Sequence, residues 1–185
     1  MATDPFTLTI HMVSSVDGYI AKKDNSISWF ETTDNYENGA AEPDVAAFHT
    51  TVDCYLMGSH TYELAVALSK SYGWAYGDVP TIVLTNRQLP VYKENIEMYT
   101  GDLHQLVHER LKPNYKNVWL VGGASLAKEF IRLNLADEIR QSILPIILGE
   151  GLLFYDQLGK ELPLHLHNVT AYKSGLVELW YKLKN

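Results

Sequence analysis

Ten residues in the second half of this 185-residue chain constrain its fold more than any others: Val118-Trp119-Leu120-Val121-Gly122-Gly123-Ala124-Ser125-Leu126-Ala127. A short apolar run, readable as a buried strand, stops at two glycines, and a helix begins directly behind them. Gly122 and Gly123 lack the Cβ atoms that would keep a ligand off the backbone, and they permit positive φ in the turn. The helix predicted from Ser125 to Asn134 points its free N–H groups and positive dipole end at whatever lies over that turn. Its first turn, Ser125 to Lys128, holds no acidic residue to offset the dipole. An outside anion such as a pyrophosphate would fill that end. Glycines serving only close helix–strand packing are the alternative, because two glycines are a weaker signal than a full phosphate loop.

Around this unit strands and helices alternate without linker, repeat or low-complexity stretch. Strands are predicted over Thr7 to Ser15, Tyr19 to Ala21, Asp53 to Met57, Thr81 to Thr85, Ile96 to Tyr99, Glu138 to Leu144 and Leu152 to Phe154. Helices are predicted over Asp44 to Thr50, Thr61 to Ser69 and Leu103 to Leu111. Leu164 to Lys173 and Val177 to Leu183 form a terminal hairpin around Ser174-Gly175. Alternation followed by strands alone predicts an α/β domain over residues 1–185, with a mixed, mostly parallel sheet and an antiparallel end. The polar stretch from Lys22 to Glu42 is long for a compact domain, and such loops are commonly functional.

Composition narrows the partners. A net charge of −7 argues against nucleic acid, which needs a basic surface. The single cysteine, Cys54, permits no internal disulfide, so a reducing cytoplasm is expected. The opening Met-Ala-Thr-Asp-Pro-Phe lacks the basic and apolar regions of a signal peptide. No apolar run approaches the roughly 20 residues of a membrane span.

Several segments resemble the dihydrofolate-reductase-like superfamily, and more closely the bacterial riboflavin-biosynthesis (pyrimidine) reductase domain. Ser15-Val16-Asp17-Gly18-Tyr19-Ile20-Ala21 is similar to its opening strand and loop, and Met57-Gly58-Ser59-His60-Thr61-Tyr62-Glu63 to its Met-Gly-Arg-x-Thr-Tyr-Glu turn. Pro80 to Arg87 resembles its third strand. Val121 to Leu126, then Leu144 to Gly151 with Leu153-Phe154, resemble its C-terminal half, and all stand in the family's order. The resemblance implies a three-layer fold with a central sheet of about eight strands flanked by helices. It implies NADPH, with NADH possible, bound in an extended pose over strand C-termini.

Residue by residue, the resemblance places the pyrophosphate and nicotinamide side at Val121, Gly122, Gly123, Ala124, Ser125 and Leu126. It gives other phosphate oxygens to Ser59, His60 and Thr61, and the adenosine ribose with its 2′-phosphate to Thr85, Asn86 and Arg87. Ile20 and Ala21 would lie at the nicotinamide edge, and Ser15, Asp17, Trp29 and Glu150 would face a small heterocyclic substrate. Ser59 stands where the family usually has Arg, which weakens the expected grip on phosphate; Arg87, Lys22, Lys23 or Lys128 would compensate, with Arg87 carrying most of the reading of the 2′-phosphate.

The proton donor is the least marked role. Asp44, after Pro43, occupies the kind of place where folate reduction uses a buried carboxyl; capping its helix is the other reading. Asp17 before Gly18 also reads as a turn residue, and Glu150 as an exposed loop acid. His104 with His108, and His165 with His167, lack the carboxylate spacing of a metal site and read as solvated. Tyr72, Trp74 and Tyr76 form an aromatic loop that lines a pocket or packs on the core. Trp180 falls on the face of its strand opposite Val177, Leu179, Tyr181 and Leu183, so it is expected to be exposed, and with the apolar hairpin it predicts a homodimer. The expected activity is reduction of a pterin- or pyrimidine-type heterocycle by a nicotinamide nucleotide. The alternative is a non-catalytic nucleotide-binding protein of the same fold.

Overall fold

The computed structural model describes residues 6–42 and 49–184. Apolar runs without alternation need cover on both faces, and three strands at the middle of the sheet have it. In β3 (Cys54–Gly58), Cys54, Tyr55, Leu56 and Met57 are all buried. β4 (Thr81–Leu84) and β6 (Asn117–Gly122) follow the same pattern. They join β1 (Thr7–Ser14), β5 (Ile96–Tyr99), β7 (Glu138–Ile143), β9 (Leu164–Ala171) and β10 (Val177–Leu183) in one sheet, ordered β5-β4-β3-β6-β1-β7-β10-β9. The pairs from β5 to β7 are all parallel, and β10 runs antiparallel to both β7 and β9. β2 (Tyr19–Ala21) pairs with β8 (Leu152–Leu153) in a small separate ribbon.

Among the described residues, three helices complete the layers. α1 (Ser59–Tyr72) covers one face, packing Tyr62 and Val66 on Tyr55, Met57, Val83 and Trp119. α2 (103–114) and α3 (Ala124–Arg132) cover the other, where Leu106, Leu111, Phe130 and Ile131 meet Leu8, Ile10, Leu56 and Leu120. Phe130 and Leu120 are fully buried, so truncating either to Ala costs about 2–5 kcal/mol. The expected fold class therefore holds in its architecture: a three-layer α/β arrangement with a mostly parallel sheet of eight strands and an antiparallel end.

Some boundaries differ from the sequence pattern. α1 starts two residues earlier than predicted, at Ser59, and continues to Tyr72, where Gly73 at φ +79° ends it and donates its N–H to Ser69. α3 is shorter than its pattern; Asn134 leaves it at φ +55°. α2 runs past Leu111 and takes a π-helical register over Leu106–Leu111. Pro113 has no N–H to return to the preceding turn, and the change of register ends just before it. The predicted helix Asp44 to Thr50, Asp44 included, lies almost wholly outside the described residues.

The long polar stretch is strapped down rather than free. A 3₁₀ turn at Ser28–Glu31 buries Trp29, and the chain then runs along the β9–β10 hairpin. Asp34 and Tyr36 donate their N–H groups to the carbonyls of Ser174 and Lys173, and Ala40 exchanges bonds with Ala171 and Lys173. Of the aromatic loop, Trp74 and Tyr76 pack among Tyr55, Tyr62 and Tyr92, whereas Tyr72 is exposed.

The expectation of a bare Trp180 is corrected. Trp180 is half-buried: its indole N–H donates to Glu138 (2.9 Å) and the Arg140 guanidinium lies 4.5 Å over its ring. Arg140 in turn pairs with Glu178 at 2.5 Å and reaches over Trp119. Polar neighbours on the same sheet face, invisible to strand periodicity, cover the indole. The exposed apolar residues of this hairpin are Leu166 and Val169 on the edge strand β9.

Candidate active site

Three helices begin at the same edge of the sheet, beyond the C-terminal ends of β3, β5 and β6. α2 is capped in the ordinary way, with the Asp102 carboxylate accepting from the Gln105 N–H at 3.0 Å. α1 and α3 are not. Their N-caps are Gly58 and Gly123, neither start has a side-chain cap, and neither first turn holds an acid. The two open starts lie side by side. A Cβ built on Gly58 would sit 3.8 Å from the Gly122 carbonyl and the Gly123 nitrogen, and one on Gly123 would sit 3.7 Å from the Thr61 hydroxyl. Two positive dipole ends thus converge on one place, with backbone exposed between them.

Gly122 and Gly123 are joined by a cis peptide bond, and Gly122 lies at φ +135° with a Cβ position 3.0 Å from Met12 Cε. A side chain at Gly122 is therefore disfavoured by backbone and space alike. Gly123 differs: its φ is −81° and a Cβ there meets only ordinary van der Waals contact. That Cβ would project into the space between the helix starts. What glycine provides at 123 is room.

A groove of about 410 Å³ leads from these starts over the ends of β4 and β5. Ser59, Thr85, Asn86, Arg87 and Thr100 supply its polar side, and Leu84, Tyr99, Leu103 and Leu126 its apolar wall. Thr85 Oγ1 accepts the Arg87 N–H at 2.9 Å, and the Thr100 hydroxyl bonds the Thr85 carbonyl, so the strand ends are tied together. The Arg87 guanidinium is engaged on both nitrogens by the Glu63 carboxylate of α1, one contact measuring 3.0 Å. That arginine holds Glu63 below the usual carboxylate range, chiefly through the hydrogen bonds it donates.

Of the cofactor residues predicted from sequence, Ser59, His60 and Thr61 open α1, and Val121 and Gly122 end β6. Gly123 caps α3, whose first turn is Ala124, Ser125 and Leu126. Thr85, Asn86 and Arg87 line the groove. Ile20 and Ala21 lie in β2, which is held by β8. Tyr99, Thr100, Gly101 and Leu103 were not anticipated. The signal for them was present, since Gly101-Asp102 also links a strand directly to a helix.

The substrate-side residues are mostly occupied by one another. Asp17 accepts the Ser15 hydroxyl (2.6 Å) and the N–H groups of Leu148 (3.1 Å) and Gly149 (2.7 Å). These bonds, led by that of Ser15, lower its pKa. Ser15 also accepts the Tyr19 N–H. Ser15 and Asp17 thereby clamp the turn after β1 to the 144–151 loop. Glu150 pairs with Lys23 at 2.5 Å, both well exposed. Trp29 is buried and its indole N–H meets no acceptor among the described residues. Beneath, on the α1 side of the sheet, His11 Nε2 lies 2.9 Å from the Ser142 hydroxyl and its ring stands edge-on to Trp119. Burial, and then the Arg140 charge, push the His11 imidazole down to about 3, so it is neutral at ordinary pH.

Residues 63–177, which take in the open start of α3 and the groove apart from Ser59, match the model of the RibD C-terminal domain. The chain belongs to the RibD C-terminal domain family. A curated relative is the uncharacterized protein YwjB of Bacillus subtilis (strain 168), 27% identical over 172 residues, covering 93% of this chain and 95% of YwjB. The fold is shared with a protein of Shewanella sp. PV-4 assigned to riboflavin biosynthesis, at 24% identity and TM-score 0.81, over 97% of this chain and 100% of that one. It is shared too with dihydrofolate reductase from Enterococcus faecalis complexed with NADP(H) and RAB-propyl, at 15% identity, TM-score 0.56 and 97% of each chain. In this RibD-type domain two uncapped helix starts adjoin, Gly123 leaves space between them, and a groove runs beyond. Among the described residues no group of His, Cys, Asp and Glu is placed to hold a metal, and no helix is long and apolar enough to cross a membrane.

Proposed function

We propose that this protein is a reductase that binds a reduced nicotinamide dinucleotide and reduces a pterin- or ribosylaminopyrimidine-type heterocycle. The carrying observation is the pair of uncapped helix starts side by side at the head of the groove. The backbone N–H groups of Ser59 to Thr61 and Ala124 to Leu126 hold the pyrophosphate. The groove takes the adenosine, its base against Leu84, Tyr99, Leu103 and Leu126 and its ribose toward Thr85, Asn86 and Thr100. The second nucleoside then lies on the other side of Gly122, toward β1, Ile20 and Ala21.

A reduced nicotinamide, when bound, supplies the hydride. The chain's own part is alignment and exclusion of water, which carry most of the catalysis in such a transfer. Ser15 and Asp17 act by holding the 144–151 loop against β2. Trp29 has a buried indole N–H with no acceptor among the described residues and can hold the heterocycle through it, with Glu150 and Lys23 at the rim. Asp44 takes the role of proton-assisting acid. Membership of the RibD family and the dihydrofolate reductase fold support this choice of substrates. Two chains pair through the C-terminal hairpin, where Leu166 and Val169 stay exposed on an edge strand. Light scattering that gives the mass of one chain at all micromolar concentrations contradicts that pairing.

The test is a turnover assay with NADH and NADPH against dihydrofolate and a ribosylaminopyrimidine. The expected result is cofactor oxidation that depends on one of the heterocycles. Binding of the dinucleotide with no oxidation by either heterocycle supports a non-catalytic nucleotide-binding protein. One observation favours that second reading, since Asp17 and Glu150 are both internally paired.

A further inference from the structure

The groove holds an unusual balance of charge for a dinucleotide site. Among the described residues that line it, Arg87 carries the positive charge. At the start of α1 stands Ser59, a short neutral side chain. Arg87 is not free to meet a ligand. Both terminal guanidinium nitrogens face the two oxygens of Glu63, and its backbone N–H is fixed by Thr85. A bidentate arginine–carboxylate pair uses the planar fork that would otherwise grip a phosphate.

The consequence lies at the adenosine ribose. A 2′-hydroxyl can donate a hydrogen bond to a carboxylate, so a neighbouring acid accepts it. A 2′-phosphate brings about two negative charges, and it needs a free arginine rather than an acid. Here it would meet the Glu63 charge and would have to displace Glu63 from Arg87. Neither Asn86, Thr85 nor Thr100 offers a charge to replace it. Resting on the dinucleotide site proposed above, we infer that the Glu63–Arg87 pair sets the cofactor choice, and that the site takes NADH in preference to NADPH. Glu63 is the specificity-determining residue, and Arg87 acts by orienting it.

Glu63 and Arg87 both lie on the surface, so substitution leaves the core intact. Calorimetric titration of the wild-type protein with each cofactor at neutral pH and low salt is expected to give a lower Kd for NADH. Glu63→Gln frees the guanidinium and removes the opposing charge. It should tighten NADPH by about tenfold, the scale of one charge-assisted hydrogen bond, while leaving NADH unchanged or weaker. Arg87→Gln should widen the wild-type preference by loosening NADPH further. A wild-type preference for NADPH overturns the inference and leaves the dinucleotide site standing. So does a Glu63→Gln protein whose ratio of the two constants is unchanged. Failure of both cofactors to bind the wild type overturns the site itself, and the inference with it.

Discussion

The start of α2 and the paired starts of α1 and α3 stand at one edge of one sheet, follow parallel strands, and face the same electrostatic demand. α2 meets it internally through Asp102. α1 and α3 begin on glycine, with no acid in the first turn. The difference is not one of location, since Gly101-Asp102 shows that this edge accommodates a capping acid after a glycine. A cap is worth about 1 kcal/mol to a helix, and two are missing where the starts adjoin. On the function proposed above, the open pair is left for the anionic part of a ligand, whereas α2 satisfies its own start through Asp102.

Supplying the missing cap should break the difference most severely. Gly123→Asp places a carboxylate at the head of α3, in space that a Cβ enters without clash. Dinucleotide affinity should fall by on the order of a hundredfold or more, because the anion loses its space and meets a like charge. The melting temperature should hold or rise, as the helix gains a cap. A variant that is capped and stable yet binds normally would show that the open pair serves only packing.

The sheet beneath both kinds of start should respond to acid in a defined way. The folded His11 takes up its proton near 3 and the unfolded chain near 6.5, so between them the unfolded state binds more protons. Stability is therefore complete above about 6.5 and is lost as pH falls, by up to about 1.4 kcal/mol per unit. Asp17, also lowered, adds its loss only below the ordinary carboxylate range. Denaturant unfolding across this window checks the slope, and His11→Gln should flatten it. An unchanged slope in that variant would remove His11 from the account.

Removing the existing cap is the mildest change. Asp102→Ala should lower stability by about 1 kcal/mol, read by denaturant unfolding, with dinucleotide affinity unaltered. A large loss of affinity would mean that the start of α2 also holds the pyrophosphate and that the contrast between the starts is misdrawn.

Much of this was legible in sequence because it is local. Gly122-Gly123 followed by an acid-free helical turn is a run of neighbours, and so are Gly58-Ser59 and Thr85-Asn86-Arg87. The partners of these groups were not legible, because the fold alone brings them together. Glu63 and Arg87 are 24 residues apart and meet because β3 and β4 pair in parallel. Asp17 reads as a turn acid, yet its acceptor role depends on Leu148 and Gly149, more than 130 residues away. Strand periodicity placed Trp180 on the correct face but could not show Arg140 and Glu138 beside it on β7. That neighbourhood exists only because β10 inserts between β7 and β9.

The most direct measurement is a titration of the backbone amide resonances with NADH. The account predicts that the amides of Ser59 to Thr61 and of Ala124 to Leu126 shift together and saturate at one ligand concentration. Those of Gln105 and Leu106, whose N–H groups are already taken by Asp102, should move least. Shifts confined to one helix, or no shift at either open start while NADH binds elsewhere, would contradict the claim that the paired starts hold the pyrophosphate.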